Sequence, residues 1–270
     1  MTANPEQRKS KPERKELVTD PDEIARIEAE NGLRQTKFVI DTIDQQLDTN
    51  SEYILKPSLV SRLNRLAIEG LSELPGTYRP GPMSITHSNH VPPPPQDVHG
   101  FVEDMCEYVN NNWERDGWHL AAYLMWWLNW IHPFEDGNGR TSRAISYLVL
   151  CIRLGLRLPG TKTIPEVIAE DKGSYYAAID KADSAAKRGE IDVTAMEAVL
   201  KDALAVQLAE FADVVTGGHI TGLSRFERGE FDQPKPRWTS ALHEHYNRNP
   251  FWYWCAGVVL AIGLGFVSFL

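Results

Sequence analysis

Apolar residues recur along this chain mostly at helical spacing, in blocks separated by glycine, proline and polar runs. Leu59, Leu63 and Leu66 predict a helix over 57–70, with Pro57 at its start and Gly70 at its end. Upstream, Asp20-Pro21-Asp22-Glu23 reads as a helix start, because acids favour the positive end of the macrodipole. Ile24, Ile27, Phe38, Val39 and Ile43 then carry one long helix or two shorter ones to about Leu47. Helices are also predicted over 98–113 and 118–131. The second is apolar nearly all round (Leu120, Tyr123, Leu124, Met125, Trp126, Trp127, Leu128, Trp130), which marks a buried central helix. Residues 144–156 form another apolar stretch, and 194–215 a last amphipathic one. Strand signals are few, and 77–85 is the best candidate for a short hairpin. The pattern predicts an all-α fold with a small β-hairpin and no internal repeat.

The ends differ from this middle. Residues 1–19 are charged, polar and without periodicity, which predicts a disordered arm. It has no apolar run of the kind a signal peptide needs. Residues 20–54 form an N-terminal helical segment and 55–223 the core. Residues 224–250 are polar, with Gly229, Pro234 and Pro236, and read as a linker. Residues 251–270 carry no charge at all. A helix of that length reaches across about 30 Å of hydrocarbon. Phe251, Trp252, Tyr253 and Trp254 cluster at its near end, as aromatic side chains do at a membrane interface. The expectation is a single-pass C-terminal transmembrane helix, the alternative being a buried helix of the core. Arg237 and Arg248 beside the span favour a cytoplasmic catalytic domain. Gly257, Ala261 and Gly265 form a small-residue stripe, which makes a homodimer through the membrane helix a candidate.

Composition narrows the partners. A net charge of −9 argues against nucleic acid, since binding a phosphate backbone calls for a basic surface. Cys106, Cys151 and Cys255 are far apart, with no CxxC and no zinc spacing, and fit a reducing compartment. His243-Glu244-His245 is too short for a metal site without further ligands. The run Pro92 to Pro95 contains a P-x-x-P spacing that an SH3-type domain could read, although a structural connection suits its position better.

The chemistry is concentrated between the two most apolar blocks, in His132-Pro-Phe-Glu-Asp-Gly-Asn-Gly-Arg-Thr-Ser-Arg143. Gly137 and Gly139 allow a sharp turn and a close approach to an anion. Their N–H groups, with those of Asn138 and Arg140, would lead into the next helix, whose N-terminus has orphan donors and a positive dipole end. Arg140 and Arg143, three apart, can share one face of its first turn, and a guanidinium suits phosphate oxygens. Asp136 can ligate Mg²⁺, which takes one or two carboxylates together with substrate phosphates. His132 is placed to accept a proton from an attacking hydroxyl. Each element alone has a bland reading: a turn, a helix-capping histidine, a solvated pair of arginines.

Together they resemble the signature of the Fic (Fido) family, His-x-Phe-x-Asp/Glu-Gly-Asn-Gly-Arg-x-x-Arg, with every fixed position filled. Leu74-Pro-Gly-Thr-Tyr-Arg79, Met83-Ser84-Ile85 and the proline run resemble the stretch ahead of the motif in that family, where a flap docks the target segment. Leu158-Pro-Gly160 and Tyr175-Tyr176 resemble the region after it, so the likeness covers roughly residues 55–212. It implies a Fic-type helical domain with a small β-hairpin flap. It further implies transfer of AMP from ATP to a Ser, Thr or Tyr hydroxyl of a target protein, that is, a protein adenylyltransferase. In that reading His132 is the general base and Phe134 anchors the loop. Asp136 holds Mg²⁺, Gly137, Asn138, Gly139 and Arg140 bind the phosphates, and Arg143 reaches the γ-phosphate. Met83, Ser84 and Ile85 form the target-docking flap. Tyr175 or Tyr176 could stack on the base, or simply pack in the core. Many Fic proteins also resemble one another in an inhibitory Ser/Thr-x-x-x-Glu-Gly/Asn helix. Glu69 is the candidate inhibitory glutamate, with Arg143 as its expected partner, although Arg65 stands where Ser or Thr is expected. Transfer of another nucleotide or phosphate, removal of AMP, and a catalytically silent membrane-tethered binding module remain as alternatives.

Overall fold

The computed structural model describes residues 8, 10–11, 17–49 and 51–215. The linker and membrane span expected over 224–270 lie outside these residues. Among the described residues no helix is long and apolar enough to cross a membrane. The chain is mostly helical: α1 (Pro21–Thr49), α2 (Pro57–Ile68), α3 (Val98–Asn111), α4 (Gly117–Ile131), α5 (Asn138–Leu154), α6 (Ile164–Glu170), α7 (Gly173–Ala186) and α8 (Thr194–Val215). Two strands of two residues each, β1 (Ser10–Lys11) and β2 (Ser84–Ile85), pair antiparallel. Among the described residues, contacts divide the chain into two units, 8–158 with 163–203 and 159–162 with 204–215. In the second unit the Gln207 amide donates to the Pro159 carbonyl at 2.7 Å and Lys162 meets Glu210 at 3.1 Å.

The centre of the first unit is the α4–α5 pair. α4 starts where the Asp116 carboxylate accepts the Trp118 N–H at 3.1 Å, and buries Leu120, Leu124, Trp126, Leu128 and Ile131. α5 buries its face from Ala144 to Ile152 and stops at Gly155, which takes a left-handed φ of 71°. It begins six residues before the apolar stretch that betrays it, inside the glycine-rich motif itself. Cys106 and Cys151 are both buried and free. Burial pushes their thiols up to about 12 and about 11, far from the reactive thiolate range.

α1 is one continuous helix, and two polar residues on its buried face explain how it docks. Asn31 donates to the carbonyls of Ala67 and Glu69 at 3.3 and 2.9 Å, and Gln35 to that of Leu63 at 2.9 Å. A helix end leaves its last carbonyls without partners. These amides close the end of α2 and fix its position beneath the motif loop.

Two expectations are corrected. The hairpin over 77–85 does not form. Pro80 and Pro82 have no N–H to give a ladder, so 77–83 turn, and β2 instead takes a partner from the N-terminal segment. Correspondingly, Arg8 and Ser10–Lys11, which fall within the arm expected to lack order, are held against the core. Backbone pairing needs no apolar side chain, so hydrophobic pattern gave no sign of it.

Asn31→Ala leaves one buried and one part-buried carbonyl without their donor and should lower stability by about 1–3 kcal/mol. Leu33→Ala, on the exposed side of α1, should change it far less. Urea unfolding followed by circular dichroism compares the two.

Candidate active site

α4 ends at His132, which caps it in the left-handed region (φ 50°, ψ 58°). Positive φ is costly for a side chain with a Cβ, and it persists where the surroundings hold it. Here the His132 N–H donates to Leu128 O at 2.9 Å, and Arg79 Nε donates to the His132 carbonyl at 2.8 Å. Arg79 is buried, and its guanidinium also donates to the carbonyls of Gly81 and Pro93. Its own N–H donates to Pro133 O at 2.8 Å. One side chain therefore joins the chain ahead of the flap to the backbone of the motif histidine.

The imidazole of His132 is buried, with Nδ1 3.3 Å from the Asn129 carbonyl. A carbonyl only accepts, so this contact places the proton on Nδ1 and leaves Nε2 as an acceptor. Nε2 lies 2.8 Å from the Ser10 hydroxyl. Burial pushes the ring's pKa down to about 4. The Asn129 carbonyl opposes the shift, Arg79 and His90 add to it, and Asp136 opposes it weakly. At neutral pH the ring is a neutral base.

The loop after His132 is built inward. Phe134 is fully buried, with Tyr78 against its ring at 5.5 Å. The Asn138 side chain accepts the Phe134 N–H at 3.0 Å and returns a donor to its carbonyl at 2.8 Å. The role expected for Asn138 is thereby narrowed: its side chain closes the loop, and only its backbone is left for an anion. Asn64 of α2 donates to Asp136 O at 2.8 Å and accepts the Gly76 N–H at 3.0 Å. Gly137 has φ 78°, and a Cβ there would stand 2.5 Å from Ile68 Cγ2. Conformation and contact both require glycine. The first helical bond of α5 runs from Thr141 N–H to Gly137 O at 2.9 Å, so the amides of Asn138, Gly139 and Arg140 precede the ladder, as an anion site needs.

His132, Asp136, Gly137, Asn138, Gly139, Arg140, Arg143 and Ile85 line a single cavity of about 610 Å³, together with Tyr175 and Tyr176. Arg143 is buried, and among the described residues no carboxylate pairs with it. Burial lowers its pKa, and the hydroxyl of Tyr175 beside it opposes that shift first. Arg140 bridges two acids, Asp136 at 2.7 Å and Glu28 of α1 at 3.0 Å. Among the described residues no three His, Cys, Asp or Glu side chains cluster as a metal site. Asp136, half exposed on the cavity wall, is one carboxylate, which fits Mg²⁺ shared with nucleotide phosphates but not a metal held by protein alone.

Some expected residues go elsewhere. Glu69 does not meet Arg143. It caps α2 facing α1, where Arg34 lies within reach, and the two pair at 2.8 Å with both side chains about half exposed. Glu69, Met83 and Ser84 are not on the cavity wall. Tyr175 is buried, and its hydroxyl meets Asn129 at 2.7 Å and Ser142 at 3.3 Å, so it packs and orients rather than offering an open ring. Asn64, Asn129 and Glu28 also carry the geometry, and pattern reading gave them no role; Arg79 it placed only in the stretch ahead of the motif.

Residues 54–150 match the family model for the Fic/DOC family. The chain is 26% identical over 135 residues to a probable protein adenylyltransferase of Aquifex aeolicus, covering 50% of this chain and 42% of that protein. It is 31% identical over 112 residues to the protein adenylyltransferase Fic of Nematostella vectensis, covering 40% and 23%. The chain thus spans less than half the length of these relatives. Its fold is similar to that of a Fic family protein of Desulfovibrio desulfuricans, with TM-score 0.51, 20% identity, and 75% of this chain and 56% of that one covered. It is likewise similar to a fragment of Fic-1 of C. elegans, with TM-score 0.54, 20% identity and coverage of 74% and 56%.

Two outcomes test this geometry. Since the pKa of His132 is depressed, the proton is gained only as pH falls well below the ordinary histidine value. The ring signal absent from the His132→Gln spectrum should therefore stay neutral through pH 6 in an NMR titration. Arg79→Lys removes the fork that holds four carbonyls, and should move the His132 ring signal in the same spectra.

Proposed function

We propose that this Fic domain transfers AMP from ATP to a hydroxyl side chain of a protein. The observation that carries this reading is one cavity wall holding a neutral His132 acceptor, a buried Arg143 with which no carboxylate pairs among the described residues, and the N-terminal amides of α5. A buried cation is costly until an anion joins it. The polyphosphate of ATP supplies that anion, and the α5 amides supply donors for it. The target's oxygen attacks the α-phosphorus and its proton passes to His132 Nε2. The bond from that phosphorus to the β-phosphate's bridging oxygen breaks, and pyrophosphate leaves. Asp136 would hold Mg²⁺, which neutralises charge on the phosphates when bound. Arg140 exchanges its acids for phosphate oxygens. Such transfer depends on positioning and on charge stabilisation, which is what this wall offers. A target strand would add to the flap at β2, where pairing reads backbone more than sequence.

ATP labelled on either the α- or the γ-phosphate, with Mg²⁺ and lysate, separates the chemistries. Protein should keep label only from the α-phosphate, and retention from the γ-phosphate alone rejects nucleotidyl transfer. His132→Ala should lower the transfer rate by about 10²–10⁴ while ATP still binds. Arg143→Ala should weaken or misplace the nucleotide.

Residues 251–270 are proposed as a membrane anchor, on their uncharged composition. The full chain should stay with membranes through carbonate extraction, and a chain lacking 251–270 should not.

A further inference from the structure

We propose that Ser10 is an AMP acceptor of this domain in cis: the chain's own N-terminal segment takes the place of a target strand on the flap. The inference rests on the adenylyltransferase reading above. β1 pairs antiparallel with β2, Ser10 opposite Ile85, so the segment adds a strand to the flap. Successive side chains of a strand alternate in direction. At this register Ser10 is turned to the catalytic cavity, and its Oγ lies 2.8 Å from His132 Nε2. A general base must stand about 2.6–3.2 Å from the oxygen it deprotonates, so this contact has the working geometry.

The segment is fixed on its other side as well. Arg8 places its guanidinium on the Asp180 carboxylate at 2.7 and 2.8 Å and over the Tyr176 ring at 4.7 Å. Its backbone N–H donates to the Tyr176 hydroxyl at 3.3 Å. Ser10 is thus held at two points, α7 on one side and β2 on the other, and both Arg8 and Ser10 line the cavity that holds the phosphate-binding wall. With ATP present, the Ser10 Oγ forms a bond to the α-phosphorus and His132 Nε2 takes the hydroxyl proton. The α-phosphorus–bridging-oxygen bond breaks, and pyrophosphate carries the electron pair away.

The test uses the full chain in detergent with α-labelled ATP and Mg²⁺, read by peptide mass spectrometry. AMP should appear on the peptide holding Ser10, be lost in Ser10→Ala, and return on the new hydroxyl in Ser10→Thr. Its rate per molecule should not depend on protein concentration. A rate that rises with concentration overturns the cis assignment. Adenylylation of other residues or of lysate proteins with none on Ser10 overturns the acceptor role and leaves the adenylyltransferase reading standing. No α-label on this chain or on any protein defeats that reading and this proposal together. A readout without nucleotide stands beside these: the His132 ring signal should shift in Ser10→Ala, and an unchanged signal means that the contact is not made in solution.

Discussion

The buried guanidinium of Arg79 is the contact on which the site depends. Burying a charge is tolerable only when its donors are all met. Arg79 is met by main-chain carbonyls instead of a carboxylate: His132, Gly81, Pro93 and, at longer range, Ile131. Carbonyl oxygens cannot move without moving backbone. The charge therefore fixes three separate stretches of chain against one another, and the left-handed turn at His132 is held inside that arrangement. The direction of the imidazole follows from this turn, and so does the start of α5 a few residues on.

Arg143 shows the opposite use of the same group. It is buried too, but its neighbours are a tyrosine hydroxyl and the cationic Arg140. Among the described residues no carboxylate pairs with it. The contrast separates a guanidinium met by backbone carbonyls from one left open to the cavity. Arg140 lies between the two cases. Its acids, Asp136 and Glu28, sit at a partly exposed wall where such pairs are worth only about 0–1 kcal/mol, so exchange for phosphate costs little.

How much of this was legible in the sequence depended on range. α4 and α8 could be read because their patterns are dense and local, and the twelve-residue motif gathered most of the cavity wall into one stretch. α6 is short, yet Thr163, Pro165 and Glu166 form a capping box that a closer reading would have caught, the Thr163 N–H meeting the Glu166 carboxylate at 2.6 Å. α7 was missed because its apolar side chains are mostly alanine. The long-range contacts left no local trace. Asn64 meets Asp136 O across 72 positions, and Arg79 meets His132 O across 53. The misplaced hairpin had a local cause, since the prolines at 80 and 82 forbid the ladder that alternation suggests. The partner of Glu69 is Arg34 and not Arg143, because its neighbourhood is set by α1, whose docking through Asn31 and Gln35 no short motif records.

The added strand at β2 also bears on how the domain meets anything else. A segment joined covalently to the domain competes for the flap as an intramolecular partner, so its occupancy does not fall with dilution. An outside protein of ordinary cellular abundance meets that competitor before it meets the histidine. Main-chain pairing over two residues is weak, with a net gain of about 0.5–1.5 kcal/mol per hydrogen bond, so the competitor leaves often. On the proposed transfer chemistry, selectivity toward outside proteins would follow less from the motif loop than from how well a visitor's strand outlasts the resident one.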